Sequence, residues 1–130
     1  MRERIITMLA RAIALLLAAF FAFVGWHKLV SSLADLQRYH SWTAYLPELP
    51  GRIVGMSELI CAAALVLSIV SKYREVAGVA AAVLIANQMI AAAVHWTHQE
   101  IAALPQNGAL IALLLAVMLV FKSGRRVSHD

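Results

Sequence analysis

Four stretches of the chain are almost free of charge, and each is long enough to cross a bilayer as a helix. Residues 12–30 carry ionisable side chains only at His27 and Lys28, 53–70 hold one charge at Glu58, 76–97 hold His95, and 105–122 end on Lys122. A bilayer core needs roughly 20 predominantly apolar residues of helix, with a range of about 17–25. Apolar residues surround each stretch on every side instead of forming one stripe, as lipid exposure demands, and no period-two alternation competes with the helical pattern. The pattern predicts an all-α fold, a four-transmembrane-helix bundle forming a single domain over 1–130. Between the first two spans, in an outer loop of residues 31–52, Leu33, Leu36, Tyr39, Trp42 and Tyr45 recur every third position with polar residues between them. That spacing predicts a short interfacial helix or lid with its rings at headgroup level. Pro47 and Pro50 end it and lead the chain back into the membrane.

Composition supports lipid as the solvent. Hydrophobic residues make up 62% of the 130 and charged residues 14%, against roughly 45–50% and about 25% in an average soluble domain. So small a globule has too little interior to hide that excess. The basic start and apolar middle of the N-terminus resemble a signal peptide, but the bulky "FFAFVGW" replaces a small-x-small cleavage site and the helical pattern continues past it, which predicts a retained first helix.

Charge placement then sets a direction. Arg2, Arg4, Arg11, Lys72, Arg74, Lys122, Arg125 and Arg126, eight of the eleven cations, share the side of the termini, and only Lys28, Arg38 and Arg52 lie opposite. The positive-inside rule predicts both termini in the cytoplasm of a bacterial-type inner membrane. Positive charge gathered at helix ends is a topology signal and not a nucleic-acid footprint. The expected partner is the lipid bilayer.

Ionisable groups within spans are costly and face the bundle interior. Glu58 lies about five residues into the second span, roughly 8 Å at 1.5 Å per residue, at the depth of His27 and Lys28 on the first span and of His95 and His98 on the third. Lys28 is therefore a candidate partner for Glu58. Gly51 and Gly55 extend a small-residue stripe through Glu58, suited to close helix approach. On the third span Asn87, Ala91, His95 and His98 fall within about 80° of arc, with Gln88 at the border. Trp26 and Trp96 are the expected aromatic surround, and Trp42 and Tyr45 the lid. Cys61 is alone, so dithiol chemistry within the chain is excluded and the thiol is expected to pack. His27, His95 and His98 fall short of the four ligands of a structural zinc site, and no metal is assigned.

Three passages together carry a resemblance: "FAFVGWHKLV", "GRIVGMSELICAAALVL" and "MIAAAVHWTHQEIAALPQNGALIALLLAV". With Gly25 and Lys28, Glu58, His95 and the "LPQNGALIAL" opening of the last span, the chain resembles the DoxX-like family of small four-helix integral membrane proteins over nearly its whole length. The resemblance implies the four-helix fold and an association, in some relatives, with quinone-linked sulfur oxidation or membrane complexes that handle oxidants. Phosphate loops, nucleophile elbows, H-E-x-x-H and dinucleotide fingerprints are absent from the sequence, so catalysis by the chain alone is not expected. Several roles remain open for the polar cluster Gly25, His27, Lys28, Glu58, Asn87, His95 and His98. It can be a buried network that fixes helix register, or a ligand site in an accessory component of a redox-associated membrane system. For the ligand site a quinone is the candidate cofactor, and a membrane oxidoreductase subunit or a second copy of the chain the candidate partner. The third role is a vestibule for small-molecule transport or permeability.

Overall fold

The computed structural model describes residues 1–123, so Arg125 and Arg126, counted above with the terminal cations, lie outside the described residues. The first helix, α1 (Arg2–Val30), starts ten residues before its apolar run. Nothing in Arg2 to Arg11 breaks a helix, so hydrogen bonding continues past the point where hydropathy stops. Ser31 turns extended and donates its backbone N–H to His27 O at 3.0 Å.

The aromatic loop is not one helix. It forms a six-residue helix, α2 (Leu33–Arg38), capped by Ser32 Oγ accepting from Asp35 N–H, and a separate 3₁₀ turn over Trp42–Tyr45. Between them His40 adopts φ 55°, a left-handed conformation that no helix continues through. The next helix, α3 (Glu48–Val66), begins directly behind Pro47. Pro50 thus sits inside the first turn, where a missing N–H breaks no intrahelical bond. Two short 3₁₀ turns, Leu67–Ile69 and Ser71–Tyr73, lead to α4 (Arg74–Thr97). Gln99 at φ 60° and another 3₁₀ turn, Ile101–Ala103, lead to α5 (Leu104–Ser123), with Pro105 in its first turn.

The long helices form a ring in which α1 packs on α3, α3 on α4, α4 on α5 and α5 back on α1, the last contact being the least extensive. The core is built of small residues and branched or aromatic fillers: Ala10, Ala14 and Ala18 of α1 and Ala77, Ala80 and Ala81 of α4 let backbones approach, while Phe21, Leu65, Leu84, Leu114 and Val117 fill the centre with no exposure. In lipid such close packing replaces the hydrophobic drive available in water. Arg11 ties the terminal end together, donating from Nε to Ser68 O at 3.0 Å and from Nη2 to Ser71 Oγ at 2.8 Å.

All four long helices have the length and hydropathy to span a bilayer, and in each only 28–33% of the most apolar stretch is buried within the bundle. Phe23, Trp26, Ile53, Ile60, Val79, Met89 and Leu119 point outward. A contiguous apolar girdle of this extent requires lipid, and the protein is a multi-pass membrane protein.

Candidate functional site

The site starts at a helix crossing. Gly25 of α1 and Gly55 of α3 meet so closely that a Cβ on either would lie 2.8 Å from the backbone oxygen of the other. One turn beyond, this approach sets Lys28 and Glu58 face to face, and Lys28 Nζ donates to Glu58 Oε1 at 2.6 Å. Glu58 is wholly buried and Lys28 nearly so. Arg52 Nη1 donates to Lys28 O at 2.8 Å, covering the carbonyl end of α1. The Lys28 ammonium also lies 5.6 Å from the centroid of the Trp42 ring, within cation–π range. Glu58 Oε2 has no hydrogen-bond partner among the described residues.

Lys28 forms part of the wall of a cavity of about 560 Å³ near the loop end of the bundle. Phe20, Phe23, Val24 and His27 of α1, Gln106, Asn107 and Leu110 of α5, the 39–42 segment, and Gln88 and His95 of α4 line it, with Phe23 at its exposed edge. The cavity therefore occupies the gap between α1 and α5. Phe20, Phe23, Val24 and Leu110 make part of the lining apolar, and the buried Lys28, Gln88, His95 and Asn107 form a polar inner wall. On that wall Asn107 Nδ2 donates to Gln88 Oε1 at 2.8 Å, and Asn107 Oδ1 is buried without a partner. His95 Nδ1 lies 3.2 Å from Glu100 Oε1. An ionised carboxylate only accepts, which assigns a proton to Nδ1 and, in the neutral ring, leaves Nε2 as an acceptor.

Glu100 is also the hub of a latch. Its Oε2 meets His40 Nδ1 at 3.2 Å, and the Tyr45 hydroxyl hydrogen-bonds to it. The Tyr45 ring in turn stacks on His98 with centroids 3.6 Å apart. The 39–45 segment is thus fastened to the α4–α5 turn. Burial acts to raise the Glu100 pKa, but the hydrogen bonds from Tyr45, His95 and His40 and the charge His95 carries when protonated outweigh it and hold the carboxyl below its ordinary value. The hydrogen bond to Glu100 in turn raises the Tyr45 phenol, with desolvation and the carboxylate charge adding to it. A lowered carboxylate pKa stabilises the folded state above the unfolded value and loses that contribution as pH falls through the lowered one. Protection of the 39–46 amides against hydrogen exchange, relative to the intrinsic rate at each pH, should therefore persist through the ordinary carboxylate range and fall only at lower pH. Glu100→Gln should remove that acid limb.

The sequence pattern of the DoxX-like family matches residues 12–117. The chain belongs to the DoxX-like family. No curated protein and no solved structure gives a significant match. The matched range includes the crossing glycines, the Lys28–Glu58 pair, His95 and Asn107.

The DoxX-like bundle gathers only some of the residues singled out from the sequence. Lys28, His27, His95 and Trp42 line the cavity, with His27 Nδ1 2.7 Å from Ser31 Oγ. Glu58 lies behind Lys28, paired with it and not with His95, and Gly25 acts through the crossing. Asn87 belongs elsewhere: its Nδ2 donates to Ser57 Oγ at 3.1 Å between α4 and α3. Leu84, Gln88, Ala91 and His95 form the buried face, an arc of about 60° at 100° per residue that leaves Asn87 outside, so Gln88 takes the place expected for it. His98 caps α4 and is exposed, stacked on Tyr45 at the latch. Trp26 and Trp96 are 59% and 64% exposed and face lipid instead of surrounding the cavity.

Gln106, Asn107, Glu100 and His40 were not anticipated from the sequence. Asn107 had a signal, since it starts the buried series Asn107, Leu110, Leu114, Val117, Phe121 at three- and four-residue steps. Glu100 and His40 lie in turns without periodicity. Among the described residues no group of three His, Cys, Asp or Glu side chains could hold a metal ion.

Proposed function

We propose that the cavity binds the polar head of a small membrane-soluble amphiphile, with a quinone ring as the candidate. The protein then serves as a ligand-binding or accessory component of a redox-associated membrane system, alongside an oxidoreductase subunit or a second copy of itself. One observation carries this reading. A cavity of about 560 Å³ combines a partly apolar lining with an inner wall of Lys28, Gln88, His95 and Asn107, with one amide oxygen unsatisfied. Ligand pockets run from about 300 to 1,000 Å³ and combine apolar lining with a few placed polar groups. Intramembrane ionisable residues are functional candidates by default. The same proposal places the chain in a bacterial-type inner membrane with the loop end outward, on the strength of Arg2, Arg4, Arg11, Lys72, Arg74 and Lys122 at the terminal end. The filled layer of Phe21, Leu65, Leu84, Leu114 and Val117 beneath the cavity favours a blind pocket over a transport conduit.

Trp42 supplies the test. With lipid-facing Trp26 and Trp96 replaced by Phe, decylubiquinone in nanodiscs should quench the remaining tryptophan saturably. Gln88→Leu with Asn107→Leu removes both partners of one buried hydrogen bond, a change that can be nearly neutral for folding. The double variant should bind about tenfold more weakly, equivalent to about 1.4 kcal/mol. Unchanged affinity would reject the polar wall as the headgroup site.

A further inference from the structure

We propose that His95, Glu100 and His40 form a proton path from the cavity to water at the loop end, with His95 Nε2 receiving a hydroxyl proton from the bound headgroup. The inference rests on the cavity being a ligand site and deepens that reading by specifying the ligand class: a ring bearing an ionisable hydroxyl, such as a quinol or another phenol.

The path is a line of contacts from a buried ring to a solvated one. His95 is 6% exposed and lines the cavity. Its Nδ1–H points to Glu100 Oε1 at 3.2 Å, and no other hydrogen bond among the described residues engages the ring. The second carboxylate oxygen, Oε2, is 3.2 Å from His40 Nδ1, and the His40 side chain is 79% exposed. His40 and Gln99 are the non-glycine residues with positive φ among the described residues, and they flank the Glu100–His40 contact. Non-glycine residues held in that region are uncommon and cluster at functional sites. The backbone bends on both sides of the contact that joins the cavity to water.

The groups facing this path are few. Glu100 meets His95 from α4 and both His40 and Tyr45 from the 39–45 segment. His95 meets Glu100 and shares the cavity wall with His27, Tyr39 and Lys28, the last with its charge paired with Glu58. The transfer balances as one proton in and one out. The ligand O–H breaks as N–H forms at His95 Nε2, and the Nδ1 proton passes to Glu100 Oε1. At rest the same rule puts a proton on His40 Nδ1, donated to Oε2; the exposed ring exchanges it through water for one at Nε2, and after the carboxyl turns His40 accepts at Nδ1 and releases the Nε2 proton to water. No electrons move, and Glu100 also acts as a positioning residue that fixes the His95 tautomer.

A para-nitrophenol bearing an octyl chain tests this, because its phenolate is coloured. Saturation is followed by Trp42 quenching in the Trp26→Phe, Trp96→Phe protein in nanodiscs, and ionisation by the phenolate band. Bound to the parent protein, the phenol should show an ionisation constant raised about tenfold over protein-free nanodiscs, one pKa unit. At saturating probe, His95→Gln should return it to the protein-free value. The exposed variant His40→Gln should keep the equilibrium effect but slow proton release after a pH jump by about tenfold, below the 10²–10⁴ typical of a positioned acid or base. An effect that survives His95→Gln would assign it to Lys28 or His27 in the same wall and overturn the path while leaving the pocket intact. Absence of probe binding to the parent protein would remove the pocket reading and the path together.

Discussion

Lys28→Met should cost the bundle about 3–5 kcal/mol, the penalty for stranding one member of a buried ion pair. Glu58 has no exposure, and its one hydrogen bond among the described residues comes from Lys28 at 2.6 Å. With the ammonium gone, the carboxylate must stay charged in a near-lipid environment, take up a proton, or pull the α1–α3 contact apart. Each route is costly. Replacing both residues by Met removes the charges together, and substitutions of that kind in buried pairs are often neutral or stabilising. Melts in detergent should therefore rank the parent and the double variant above Lys28→Met. A double variant as unstable as the single one would show that the pair does not act as a unit. The comparison also addresses why the acid is present. If the double variant is stable yet loses quinone binding, Glu58 serves to hold a charged lysine at the cavity wall, and stability is not its purpose.

How much of this was legible in the sequence depended on periodicity. The spans, their depth and the Lys28–Glu58 match could be read because helices repeat every 3.6 residues and lipid forces charges inward. The face of α4 was set one residue away, since Asn87 and Gln88 are both amides and only the buried steps Leu84, Gln88, Ala91, His95 distinguish them. Trp26 and Trp96 were misplaced for a related reason: a ring near a membrane interface is at home facing lipid, so proximity to His27 or His95 in sequence says nothing about facing the cavity. The latch was invisible. Tyr45, His40 and Glu100 meet through two turns that bend at left-handed residues, and no spacing rule links positions 40 and 100.

The second large effect is expected at the crossing that makes the site possible. A Cβ on Gly55 would lie 2.8 Å from Gly25 O, 2.9 Å from Leu29 N and 3.0 Å from Lys28 Cβ. Two of those atoms are backbone, so no side-chain rotation relieves the overlap, and α1 and α3 must separate. Gly55→Ala should therefore destabilise by about 1–3 kcal/mol, the range for overpacking, even though alanine is the better helix former. Gly78, on α4 with nothing within 4 Å of its virtual Cβ, provides the contrast: Gly78→Ala should be neutral or stabilise by up to about 1 kcal/mol through propensity alone. Gly55→Ala should also weaken the proposed quinone binding more than its stability loss predicts, because separating the helices lengthens a Lys28–Glu58 contact that is now 2.6 Å and swings Lys28 within the cavity wall. Equal melting temperatures for the two alanine variants would mean that the close approach of α1 and α3 does not set the geometry of the site.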